Sequence, residues 1–125
     1  MSSQLPIPDE PLNVLITKTL TLPDVTSEEE SLIREAAGPG STVVIVDSPK
    51  EGVEFASTAD VILGITPKWL FESAPNLKWV HATASGVDMF MFEEFVKSDV
   101  ILTGEKGLVG GHLADTAFGL LLALT

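Results

Sequence analysis

The chain has 125 residues, with 7 basic and 18 acidic side chains, so its formal net charge at pH 7 is −11 with both histidines neutral. Its length indicates one domain, and a hydrophobic content of 45% excludes a disordered acidic segment. The absence of cysteine excludes disulfides, cysteine-ligated zinc or iron–sulfur centres and thiol catalysis. The six lysines and one arginine are scattered singly, so we expect no nucleic-acid partner.

The first strand signal covers residues 12–17, and a helix signal follows it. Ser27 and Glu30 have the spacing of a capping box, in which each side chain bonds the other's neighbouring backbone donor. Gly38-Pro39-Gly40 stops this helix. Residues 42–46 then form an apolar, β-branched run without alternation, which is typical of a strand that helices cover on both faces.

The same alternation continues to the end of the chain. Ser48 followed by Pro49 predicts a second helix to about residue 57, and Thr66-Pro67 predicts a third short helix. Asp88 is the expected cap of a helix over residues 89–96. The remaining predicted elements are strands at 60–65, 77–81 and 100–102 and a last helix from about residue 112.

Five strands in strict alternation with helices predict an α/β fold with an open, doubly wound parallel sheet. We expect the flavodoxin-like order 2-1-3-4-5, with ligands bound outside the carboxyl ends of the strands. The N-terminal sequence lacks the basic start and apolar run of a signal peptide. Because the longest apolar stretch, residues 117–124, is far shorter than the roughly 20 residues of a membrane helix, we predict a cytoplasmic protein without a membrane partner.

No Gly-x-Gly-x-x-Gly or Walker A motif occurs at a strand-to-helix turn, so the chain carries no sign of binding a nucleotide alone. No histidine has the spacing of a metal ligand, and we predict no metal site. The loop of small residues at 82–88 stands out, because backbone amides beside a helix start attract carboxylates and phosphates. The alternative is a tight turn with Asp88 as the cap, and composition alone favours it.

The order of several motifs resembles the D-isomer-specific 2-hydroxyacid dehydrogenase family. The motifs are Ala74-Pro75-Asn76-Leu77-Lys78-Trp79-Val80, Ala84-Ser85-Gly86-Val87-Asp88, Leu102-Thr103, Gly107 and His112-Leu113-Ala114-Asp115 with Gly119 to Leu124. The resemblance covers residues 60–125 well and residues 12–59 only in element order. It implies an N-terminal segment (1–11), a substrate-binding domain (12–111) and a crossing helix (112–125) that leads to a missing Rossmann domain holding NAD or NADP.

The resemblance also implies roles for particular residues. Ala84, Ser85, Gly86 and Val87 would hold the carboxylate of a small 2-oxo or 2-hydroxy acid, of the glyoxylate or hydroxypyruvate type. The residues that would border the nicotinamide end of the cofactor are Ser85, Val109 and Gly110. The family's acid–base histidine lies in the missing part, so we expect no catalytic residue here and regard His81 as structural. The sequence has Asp115 where relatives have Glu, and Gly104 where Asn is common.

The last helix is apolar on all sides over residues 117–124, so it needs cover beyond what one domain gives. We expect the domain to cover one side, and a second domain or a homodimer partner to cover the other. We expect the helix to continue beyond residue 125, because the sequence has no glycine cap or basic last turn to end it. The alternative function is a stand-alone module for carboxylate binding or dimerisation, and a receiver-like acidic pocket around Asp24 and Asp47 is a third reading.

Overall fold

The computed structural model describes residues 9–108 and 110–125. Its centre is a five-stranded parallel sheet in the order β2-β1-β3-β4-β5, which confirms the predicted α/β, flavodoxin-like fold. The strands are β1 Asn13–Thr17, β2 Thr42–Val46, β3 Val61–Leu63, β4 Trp79–Ala82 and β5 Ile101–Gly104. The helices are α1 Ser27–Ala37, α2 Pro49–Ala56, α3 Lys68–Glu72, α4 Glu93–Val96 and α5 Gly110–Ala123.

One face of the sheet is covered by α2, α3 and α4. Leu15, Ile62 and Val80 lie in one row across β1, β3 and β4, and each is at most 1% exposed. Leu70 of α3 and Phe95 of α4 belong to the same buried cluster. Because each such side chain contributes about 1.5–3 kcal/mol on burial, this layer is the main core of the domain.

The opposite face is covered over only part of its width. One row of register partners crosses all five strands there, and its exposure rises along the row: Val43 7%, Val14 6%, Val61 7%, Trp79 39% and Ile101 62%. Helix α1 packs over the β2, β1 and β3 part of this face. Within the described residues, no helix covers the part formed by β4 and β5. We call Trp79, His81, Ile101 and Thr103 the open sheet face.

The start of α1 differs by one residue from the predicted capping box. Thr26, not Ser27, is the N-cap: its hydroxyl accepts from the Glu29 amide at 3.2 Å, and the Glu29 carboxylate accepts from the Thr26 amide at 2.8 Å. The run of three glutamates satisfies the pattern in either register. Glu30 instead binds Arg34 one turn later, at 2.6 Å, which removes it from the cap.

Two other helix signals are confirmed. Ser48 caps α2 with Pro49 at the first helical position, and α1 ends before Gly38, which has a φ of 90°. The predicted strand at residues 60–65 is shorter, because Asp60 uses its carboxylate to accept from the Asn13 amide at 2.9 Å and Gly64 leaves the extended conformation with a φ of 133°.

The continuous helix predicted over residues 89–96 with Asp88 as its cap is wrong. A 3-10 turn, Asp88–Phe90, is followed by the separate short helix α4, and no side chain caps the turn. Phe90, Phe92 and Phe95 all pack inward, with the rings of Phe92 and Phe95 5.8 Å apart. Positions 90 and 92 point to opposite sides of a straight helix, so the break is what allows all three rings to reach the core.

Helix α5 begins at Gly110, two residues earlier than expected, and every residue from 110 to 125 is exposed. Leu113, Phe118 and Leu121 expose 65%, 65% and 58% of their surface. The expectation that the domain covers one side of this helix is therefore wrong for the described residues. The helix leaves the sheet without packing on either face.

Candidate functional site

The loop of small residues lies at the carboxyl edge of the sheet, directly after β4. Thr83 anchors it: this buried residue has its hydroxyl 3.1 Å from that of Thr21. Ser85 and Gly86 are exposed and Val87 is half-buried. The amides of these last three residues donate to no backbone carbonyl among residues 9–108 and 110–125, so three successive donors are free at this edge.

Both ends of the loop are held in place. The Glu105 amide, just after β5, donates to the Ala84 carbonyl at 3.1 Å, and the Phe90 amide donates to the Val87 carbonyl at 2.9 Å. A Cβ on Gly104 would lie 3.2 Å from the Ala84 oxygen. This close approach is a physical reason for glycine at a position where the resemblance suggests asparagine.

The predicted helix start beside the loop is a turn of three residues, and Asp88 does not cap it. Such a turn has little dipole, so the helix contribution to anion binding that we expected is lost. What remains is the set of free amides of the loop. These donors suit a carboxylate, because backbone N–H groups bind oxyanions without needing a side-chain charge.

Of the two other positions assigned to the cofactor, Val109 lies outside the described residues. Gly110 opens α5 and is exposed, with no heavy atom within 4 Å of the place where a Cβ would stand. The space beside Gly110 and beside Gly86 is therefore open.

His81 lies near the carboxyl end of β4, beside its register partner Thr103. The His81 Nδ1 atom is 2.8 Å from Thr103 Oγ1, which also accepts from Trp79 Nε1 at 2.9 Å. Glu105 Oε1 lies 3.8 Å from His81 Nε2. Sequence reasoning missed this cluster, because only the strand register places Thr103 beside His81.

Asp24 and Asp47, the acidic residues of the receiver-like hypothesis, both form ion pairs with Lys18, which directly follows β1. Its ammonium lies 3.4 Å from Asp24 and 3.2 Å from Asp47. The hydrogen bonds that the Lys18 ammonium donates to Asp47 and Asp24 raise the pKa of Lys18. Asp24 accepts hydrogen bonds from the Val25 amide and from Lys18. Both lower the pKa of Asp24, and the Val25 amide has the larger effect. Two carboxylates share one lysine here, and the described residues contain no group of three or more acidic or histidine side chains placed to hold a metal.

The fold has a counterpart among solved structures. The chain is similar to a D-isomer specific 2-hydroxyacid dehydrogenase family protein from Aeromonas salmonicida subsp. salmonicida, with a TM-score of 0.71 and 22% sequence identity. This likeness establishes the fold. The match covers 92% of this chain and 36% of that protein, so the chain spans about a third of its length. No family model and no curated protein matches the sequence.

None of the described helices has both the length and the apolar character to cross a membrane. The longest of them, α5, has 14 residues.

Proposed function

We propose that this chain is the substrate-binding part of an oxidoreductase of the D-2-hydroxyacid dehydrogenase type. The whole enzyme would reduce a small 2-oxo acid, of the glyoxylate or hydroxypyruvate kind, to a D-2-hydroxy acid. Two observations support this proposal. The fold matches a protein of that family over 92% of the chain, and the motifs in residues 60–125 stand in the order typical of the family.

In this proposal the amides of Ser85, Gly86 and Val87 donate to the carboxylate of the substrate. The observation that carries it is that these amides bind no described backbone carbonyl, so no hydrogen bond within the described part of the chain is lost when an anion arrives. Hydrogen bonds to a charged group contribute about 1.5–3 kcal/mol each. The bond between Glu105 and Ala84 would hold the loop in place while the substrate binds.

NAD or NADP, held by a second domain of the Rossmann type, would supply the hydride. No heavy atom lies within 4 Å of a Cβ built at Gly86 or at Gly110, so neither position is blocked to a ring such as nicotinamide. The chain has no glycine fingerprint for a diphosphate, so Ser85, Val109 and Gly110 would border only the nicotinamide end. We therefore expect no tight cofactor binding by these 125 residues and assign no acid–base residue among them.

The test is a titration of the 15N-labelled chain with glycolate, followed by NMR. Two variants form a matched pair: Gly86→Pro removes one loop amide, whereas Gly86→Ala keeps it and meets no atom within 4 Å. We expect saturable shifts of the loop amides at millimolar glycolate, at least tenfold weaker binding by Gly86→Pro, as for the loss of about 1.5 kcal/mol, and little change for Gly86→Ala. Shifts confined to other parts of the sheet would contradict the assignment of this loop.

The affinity also separates the proposal from the alternative of a stand-alone carboxylate-binding module. A substrate-binding part with half of its cleft missing should bind weakly. A complete module should bind glycolate with a Kd well below the millimolar range. In either case we expect the chain to show no turnover of NADH with glyoxylate. Turnover by the pure chain would place the chemistry within these residues and overturn both readings.

A further inference from the structure

Glu105 connects three parts of the chain. Its amide donates to the Ala84 carbonyl at 3.1 Å, where the loop begins, and its carbonyl accepts from the Leu108 amide at 3.3 Å, in the turn before α5. Its carboxylate lies beside β4, with Oε1 3.8 Å from Nε2 of His81. The main chain of Glu105 therefore holds the loop, while its side chain lies next to a histidine.

The charge of Glu105 opposes the binding of an anion by the loop. Backbone amides attract an anion through partial charges only, and the whole chain has a formal charge of −11. The Glu105 side chain is 33% exposed, so water and salt screen its repulsion of a bound carboxylate only in part. Asp88, after the loop, and Lys106, after Glu105, are both exposed, so their charges are screened more strongly. Binding of an anion therefore gains when a positive charge offsets that of Glu105.

His81 is placed to supply this charge. It belongs to the open sheet face, and its side chain is 28% exposed. Imidazole is the side chain that ordinarily changes its charge between pH 5 and pH 8. A protonated ring carries N–H groups on both nitrogens, so its Nε2 would face the Glu105 carboxylate as an ion pair.

Thr103 allows the ring to change its charge in place. Its Oγ1 lies 2.8 Å from Nδ1 of His81 and accepts from Nε1 of Trp79 at 2.9 Å. A hydroxyl can donate to a neutral Nδ1, and its two lone pairs can also accept from Trp79 and from a protonated Nδ1 together. Protonation of His81 therefore adds a charge beside Glu105 without the loss of a hydrogen bond.

The other side chains around His81 are uncharged in the described part of the chain. Its register partner is Leu63 on β3 and Thr103 on β5. On its own strand, the ring of Trp79 lies 6.3 Å away. The carboxylate of Glu105 is thus the charged group that a proton on His81 would meet.

We propose that His81 is a positioning residue for carboxylate binding by the loop and that it acts through Glu105. When His81 is neutral, the Glu105 carboxylate repels an anion at the three free amides. When His81 is protonated, that carboxylate is held in an ion pair, and the loop binds the anion more tightly. The inference rests on the proposed function, because it concerns the same loop and the same class of ligand.

Glycolate titrations of the 15N-labelled chain at pH 5.5 and pH 8 test the proposal. We expect the parent to bind glycolate about two- to fivefold more tightly at pH 5.5, as for one charge at about 10 Å. His81→Asn keeps a polar partner for Thr103 but gains no charge, so its affinity should be equal at both pH values. Glu105→Gln keeps the amide that holds Ala84, and at pH 8 it should bind about as tightly as the parent does at pH 5.5.

His112→Asn is the matched control. His112 is the other histidine of the chain, and it is exposed on α5. We expect His112→Asn to keep the full pH dependence of the parent.

The outcomes separate the inference from the function on which it rests. Loop shifts with an affinity that does not depend on pH, or a pH dependence that His81→Asn keeps, would overturn the role of His81 and leave the loop as the carboxylate site. If Glu105→Gln at pH 8 binds no more tightly than the parent, His81 does not act through Glu105, and this result stands even if His81→Asn does not fold. No shift of the loop amides at either pH would overturn the proposed function together with the inference.

Discussion

Thr103 accepts a hydrogen bond from Trp79 and stands 2.8 Å from Nδ1 of His81, so one hydroxyl links both side chains. A hydroxyl has one proton, and with Trp79 donating to its oxygen that proton can go to Nδ1. Because Glu105 Oε1 lies 3.8 Å from Nε2 on the other side of the ring, we expect the hydroxyl to donate to Nδ1 and the His81 proton to lie on Nε2. The pairing of β4 with β5 brings these side chains together.

Replacing Thr103 by valine should remove both bonds while keeping the shape of the side chain. We expect a loss of about 1 kcal/mol in the free energy of unfolding and a mixed tautomer at His81. The measurement is a 15N NMR experiment that reads the two imidazole nitrogens, together with the indole proton of Trp79. Thr103→Ser keeps the hydroxyl and should restore the Nε2 tautomer. An unchanged tautomer in Thr103→Val would contradict the assignment.

Gly64→Ala should be strongly destabilising. Its Cβ would lie 2.6 Å from the Thr17 carbonyl oxygen and 2.3 Å from Thr17 Oγ1, at a φ of 133°. We expect a loss of about 2–4 kcal/mol by urea unfolding, because the backbone of β1 or β3 must move. Gly119→Ala in α5 is the control: it meets no atom within 4 Å and should stabilise the helix by about 1 kcal/mol. Equal stability of the two variants would rule out the close contact at Gly64.

Thr66→Val should not destabilise the protein. The Thr66 hydroxyl is buried, with the residue 1% exposed, and it has no hydrogen-bond partner among the described residues. Burying such a group costs about 1–3 kcal/mol, so the methyl group of valine should be neutral or raise the midpoint of thermal unfolding. Thr83→Val is the comparison, since it loses the bond to Thr21 and should lower the midpoint. A lower midpoint for Thr66→Val would indicate a partner for its hydroxyl.

The hydrogen bonds of Asp24 with the Val25 amide and with Lys18 should make the free energy of unfolding depend on pH in the acidic range. The Val25 amide and Lys18 hold the pKa of Asp24 below its ordinary value of 3.8. Its contribution is therefore present above that value and is lost as the pH falls through the lower pKa of the folded state. We expect Asp24→Asn to be less stable than the parent at neutral pH, with the difference vanishing in strong acid.

The measurement for Asp24 is urea unfolding from pH 2 to pH 7. The control is Asp99→Asn, an exposed residue without an ion pair in the described part of the chain. A difference between parent and Asp24→Asn that stays constant over the whole range would contradict a contribution from the charge of Asp24.

The fold could be predicted from the sequence because the signals for its strands and helices are local. The uninterrupted apolar run at β2 and the Ser48-Pro49 start of α2 each depend on neighbouring residues only, and both were confirmed. The cap of α1 was displaced by one residue, since three glutamates fit the pattern equally well and the pairing of Glu30 with Arg34 selects between them.

The site was less predictable for a physical reason. The helix after the loop breaks because Phe90 and Phe95 both enter the core, which depends on tertiary packing rather than on local signals. The neighbours of His81 come from β5, 22 residues later in the chain. The loop at Ser85 and Gly86 was found from its composition, but its free amides could be identified only once the hydrogen bonds around it were known.

The hydrogen bond from the Glu105 amide to the Ala84 carbonyl also connects the loop to the segment that leads to α5. The Glu105 amide holds one end of the loop, and Gly110, where α5 begins, stands five positions after Glu105. In the two-domain enzyme proposed above, a domain that follows α5 would displace this segment when it moves. A displacement of this segment would be transmitted to the loop through the hydrogen bond between Glu105 and Ala84 and would change the positions of the three amides.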